Sequence, residues 1–133
     1  MNTNRWLLAS IVAAVFLFLY GWVVYGVLLL SYVTRIAPQG SMLPAGSESI
    51  GLIAVGCLIQ GTVLARIFVM GRKGPGAMEG VRFGLYIGAL IFGIYVLMAG
   101  ITPYTLRAAS TFAIIDTVMY VGAGALIAVL YKE

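Results

Sequence analysis

Apolar residues run almost unbroken through four stretches, at about Trp6–Ser31, Ile50–Met70, Gly80–Ile101 and Ala108–Tyr131, and polar and charged residues collect between them. A helix needs about 20 apolar residues to cross a hydrocarbon core about 30 Å thick, and each stretch meets or approaches that length. The pattern predicts an all-α membrane protein, a four-transmembrane-helix antiparallel bundle forming a single transmembrane domain over residues 1–133. A soluble helical bundle would need a polar face recurring at the helical period. Ser10 to Leu30 carries none.

The connections are read from their turn residues. Residues 32–49 hold Pro38, Gly40, Pro44 and Gly46 and form the longest link, with Ser47 or Ser49 placed to cap the second helix and Glu48 near its positive dipole end. In residues 71–79, Gly71 is placed to end the second helix and Pro75 to stop it continuing. The Arg72-Lys73 pair there is expected among anionic headgroups, a contribution of about 1 kcal/mol per charge. Thr102-Pro103-Tyr104-Thr105 is a tight connection. Helices two and three, and three and four, are therefore expected to be neighbours.

Charge sets the orientation. Arg5, Arg66, Arg72, Lys73, Arg82 and Lys132 fall at one end of the bundle, and Arg35 and Arg107 at the other. The positive-inside rule then puts both termini in the cytoplasm, residues 32–49 outside and residues 71–79 inside. Trp6, Tyr32, Tyr104 and Tyr131 are expected as interfacial anchors. The first stretch is longer than the apolar core of a signal peptide and is expected to stay as a helix.

Composition narrows the chemistry. Hydrophobic residues make up 62% of the chain and charged residues 9%, against about 45–50% and about 25% in soluble domains. With no His, the chain has no imidazole to ligate haem, chlorophyll-type magnesium, copper or zinc, and no His general base. The single Cys57 lies inside a span and cannot form an internal disulfide. The four carboxylates are scattered in depth, and no metal-ligand set, nucleophile–base pair or phosphate-cradling loop emerges. The chain is not expected to be an enzyme, and its own ligands hold no cofactor; bound lipid or a pigment held by a partner stays compatible. Membrane lipids and other integral membrane subunits are the expected partners, and nucleic acid is not.

A few residues stand out against this apolar background. Gly80, Gly84 and Gly88 recur every fourth residue and make a stripe on which another backbone can lie closely, either within the chain or on another subunit. Phe16, Phe18, Tyr20, Trp22 and Tyr25 fall within ten residues and cannot share one helical face, so Trp22 and Tyr25 are candidates for packing against neighbours. Asp116 is the one carboxylate well inside a span, about 13 Å beyond Arg107. At that depth a charge costs at least about 2.5–3.5 kcal/mol, so the acid must be neutral, paired or facing water. Gln60 is its expected partner, with Thr117 or Tyr120 as local alternatives. Arg66, Glu79 and Arg82 fall at one level near the inner ends of two helices and form a candidate charge cluster.

The segments Phe18-Leu-Tyr-Gly-Trp-Val-Val-Tyr-Gly-Val-Leu-Leu, Gly76-Ala-Met-Glu-Gly-Val-Arg-Phe-Gly-Leu-Tyr-Ile-Gly and Gly124-Ala-Leu-Ile-Ala-Val-Leu-Tyr-Lys resemble those of small, uncharacterised bacterial four-helix integral membrane proteins. That resemblance implies a bacterial inner membrane and carries no activity with it. Taken together, the residues point to a non-catalytic accessory or scaffold subunit that packs against other integral membrane proteins in a larger complex. The alternative is a small homo-oligomeric proton- or cation-coupled transporter or channel that uses Asp116.

Overall fold

The computed structural model describes residues 2–44 and 46–131, which leaves Lys132, counted above among the cations of one end, outside the described residues. The described residues are all-helical in their regular structure, with 81% of them in helix. Helix α1 (Thr3–Val23) runs through a π turn (Val24–Leu28) and a break at Leu29 into the short α2 (Leu30–Ile36). Three long helices follow, α3 (Ile50–Gly71), α4 (Ala77–Ile101) and α5 (Leu106–Leu130). Among the described residues four helical segments are long and apolar enough to cross a membrane: Thr3–Leu28, Ile50–Gly71, Ala77–Ile101 and Leu106–Leu130.

The caps follow ordinary helix chemistry. Ser49 Oγ accepts from Leu52 N at 3.3 Å and opens α3, Thr105 Oγ1 accepts from Ala108 N at 3.1 Å and opens α5, and α3 ends at Gly71. Of the two serines read as caps, Ser49 caps the helix, while Ser47 Oγ donates to the carbonyl of Pro44 within the loop.

Helix does not give way to loop at Ser31. The widened turn, closed by Leu29 N donating to Val24 O at 2.8 Å, inserts one residue into the helical register. Before it, Ala13, Leu17 and Tyr20 lie on the side facing the bundle. An unbroken α-helix would next bring round Val24, Leu28 and Ser31. The insertion, together with the break at Leu29, instead brings round Tyr25, Leu29, Val33 and Ile36, which pack into the apolar cluster around Val33, Ala108 and Phe112. Leu28 is left exposed.

α5 is the most enclosed helix and packs against α4, α1 and α3, while α1 also packs along α3. The expected lengthwise contact of α3 with α4 is not among these main pairings; their rings Phe68 and Phe83 meet at 5.5 Å between centroids. The faces of α3 and α4 that allow close approach are already engaged elsewhere. Gly61 of α3 lies so near α1 that an added Cβ would come within 2.6 Å of Ser10 O and 2.7 Å of Ala14 N, and the glycine face of α4 lies on α5.

Two apolar clusters result. The larger joins Ala9, Ala13 and Leu17 of α1, Leu64, Ala65 and Phe68 of α3, and Tyr120, Ala123, Ile127 and Ala128 of α5. The smaller is the cluster around Phe112 at the opposite end of α5. In lipid there is little hydrophobic gain in bringing helices together, so close contact and internal hydrogen bonds carry the association. A polar layer lies between the two clusters.

Candidate functional site

Asp116 stands in that layer, about 15 Å along α5 from its first residue. Tyr25, on the π turn, donates its hydroxyl to Asp116 Oδ1 at 2.6 Å, and Tyr95 of α4 donates to Oδ2 at 2.8 Å. Each carboxyl oxygen thus takes one phenol, and the acid ties the π turn of the first span to α4 and α5. Gln60 is not its partner. Tyr120, one turn further along α5, donates to Gln60 Oε1 at 3.2 Å and occupies the amide. Asp116 is turned toward the π turn and α4, whereas Tyr120 reaches α3.

The rings of this layer are stacked as well as hydrogen-bonded. Phe112, one turn before Asp116, lies 6.1 Å from both Tyr25 and Tyr95 between centroids, at interplanar angles of 31° and 19°, and Tyr104 meets it edge-on at 6.0 Å. Tyr20 adds a bond from its hydroxyl to the carbonyl of Ile115 at 3.0 Å. Aromatic contacts in this distance range favour tilted or offset rings and contribute about 0.5–1.5 kcal/mol each. The phenols are therefore held by packing before they reach the carboxyl group.

The glycine stripe lies against α5. A Cβ on Gly80 would run into the carbonyl of Gly124, one on Gly84 into Tyr120 O and the Val121 backbone, and one on Gly88 into the Thr117 side chain. Gly124 is the reciprocal position, since a Cβ there would meet Gly80 O. Tyr95 lies seven residues after Gly88, two helical turns along the same face.

Of the two outward candidates on the first span, Tyr25 turns inward to Asp116, and Trp22 is 63% exposed with its ring beside Gly26. Glu79 and Arg82 pair at 4.0 Å, and Glu79 Oε1 also accepts from Lys73 N at 3.0 Å. Arg66 stands on the exposed side of α3.

Tyr131, expected as an interfacial anchor, is buried instead. Arg72 lies 5.0 Å above its ring and donates to its carbonyl at 3.1 Å, and the Asn2 backbone donates to its hydroxyl at 3.0 Å, so the ring is enclosed by the ends of α1 and α3. Among the described residues no group of three or more His, Cys, Asp or Glu could hold a metal ion. No protein-family model, curated protein or solved structure matches the chain.

Proposed function

We propose that this chain is a non-catalytic scaffold or accessory subunit that packs against other integral membrane proteins within a larger complex. The observation that carries this reading is the outward side of α4. That helix has one extensive neighbour, α5, and presents Tyr86, 78% exposed, about 14 Å into the span. The Tyr86 hydroxyl has no hydrogen-bond partner among the described residues. A hydroxyl in hydrocarbon without a partner costs free energy that a neighbouring helix with an acceptor would recover. The exposed Trp22 indole argues in the same direction from α1.

Purification from native membranes in mild detergent tests the reading. A stoichiometric larger membrane partner is expected, and Tyr86→Leu is expected to weaken its retention without lowering the stability of the bundle. A homo-oligomer alone would favour the second reading, a proton- or cation-coupled transporter using Asp116. Its support is the π turn that delivers Tyr25 to the acid, because such turns recur at functional sites.

Both readings share an antiparallel four-helix bundle with cytoplasmic termini in a bacterial inner membrane. The pairing of Gly80 with Gly124, Gly84 with Tyr120 and Gly88 with Thr117, which ascends α4 while descending α5, supports the antiparallel arrangement of that pair. The cation bias supports the sidedness. Reporter fusions within Gly71–Gly76 and at Glu133 are expected to read cytoplasmic, and fusions near Gly40 outside. A cytoplasmic signal at Gly40 would rule the topology out.

A further inference from the structure

We propose that the α3–α4 turn is a binding site for the phosphodiester headgroup of an anionic phospholipid. An open cavity of about 520 Å³ lies there, lined by Val69, Arg72, Lys73, Gly74 and Pro75. Its wall changes character along the helix axis. Val69, with exposed Met70 beside it, is apolar and lies on the span side, and the two cations follow at the helix end. A lipid has the same order, with acyl chains and glycerol first and phosphate beyond.

The cations are positioned differently. Arg72 is set by the Tyr131 ring and carbonyl, so its guanidinium is oriented before any ligand arrives. Lys73 is exposed, and its ammonium has no carboxylate within ion-pair distance among the described residues. The nearby carboxylate is Glu79, which accepts from the Lys73 backbone N–H and pairs with Arg82. It holds the turn in shape and leaves the lysine ammonium without a carboxylate among the described residues, open to an added anion. Basic pockets between helix ends at an inner membrane surface bind phosphate-bearing headgroups in this manner. Apart from its Val69 wall the pocket is too polar for a hydrocarbon chain, and it lies at the end of the apolar α3 span.

The same phosphate chemistry could come from a lipid or from free phosphate, and the test separates them. The full-length protein in mild detergent is titrated with phosphatidylglycerol, phosphatidylcholine or inorganic phosphate, and thermal stability and bound lipid by native mass spectrometry are read. Phosphatidylglycerol is expected to stabilise and to stay bound, and the other two are not. Lys73→Gln is expected to weaken phosphatidylglycerol binding about fivefold, the loss of one cation near a headgroup, and Lys73→Arg is expected to keep it. Arg107→Gln, which removes an equal charge at the start of α5, is expected to leave it unchanged. Equal weakening by Arg107→Gln would show diffuse attraction and overturn the site. So would an unaltered Lys73→Gln variant, and inorganic phosphate that displaces the lipid and stabilises equally would overturn its assignment to lipid.

Discussion

Gly84→Leu is expected to separate α4 from α5 and to cost more than about 3 kcal/mol, above the usual 1–3 kcal/mol of overpacking a core. The reason is what the new side chain meets. Its Cβ alone would collide with Tyr120 O and with the Val121 backbone, which belong to a helix that cannot change rotamer to make room. Because α5 is the one extensive neighbour of α4, no second interface would hold the displaced helix. The same movement would withdraw Tyr95 from Asp116. Gly93→Leu is the matched control, since nothing lies within 4 Å of an added Cβ there. Thermal unfolding and limited proteolysis in detergent should show a large loss for Gly84→Leu and little change for Gly93→Leu. Equal behaviour of the two variants would mean that the stripe does not face α5 in the membrane.

Both the stripe and the intramembrane acid are legible in the sequence because each violates the local pattern: glycine at every fourth position, and a carboxylate within an apolar run. Their partners are harder to read. Gly80, Gly84 and Gly88 announce a close contact, but on α5 the facing positions are Gly124 with Ala128, Tyr120 with Val121, and Thr117, so small residues match the stripe at its Gly80 end while a tyrosine and a valine stand opposite Gly84. Tyr95 was accessible from periodicity, at two turns beyond Gly88 on the stripe side. Tyr25 was not. Its alignment with Asp116 depends on a one-residue insertion at Val24–Leu28, and any fixed helical period carried through that point rotates Tyr25 and everything after it off the α5 side.

Depth alone misassigned Gln60. Residues on different helices can share a level and still point to different neighbours, and Tyr120 intercepts Gln60 while two phenols fill both Asp116 oxygens. Tyr131 shows the same difficulty at a helix end, where an aromatic residue reads as an anchor. The structure turns it inward beneath Arg72 because Asn2 offers its hydroxyl a donor.

Asp116→Leu is expected to destabilise the bundle by about 1–3 kcal/mol for each phenol it strands, since Tyr25 and Tyr95 would lose their acceptor in an apolar interior. Asp116→Asn should cost much less. Its amide oxygen can accept from one tyrosine and its NH2 can donate to the other, because a hydroxyl both gives and receives. The decisive variant replaces all three groups, Asp116→Leu with Tyr25→Phe and Tyr95→Phe. Removing a buried polar group together with its partners avoids the penalty of an unmet hydrogen bond, so the triple variant is expected to recover most of the stability lost by Asp116→Leu alone. Failure to recover would mean that the cost comes from packing around Phe112 rather than from stranded hydroxyls. The Asn variant also separates the two functional readings, because it should keep the fold while removing the titratable acid. In the scaffold reading its complex assembles normally and reconstituted vesicles show no pH-dependent flux with or without the substitution. Flux that depends on pH in the native protein and disappears in the folded Asn variant would replace the scaffold reading with a transporter built on Asp116.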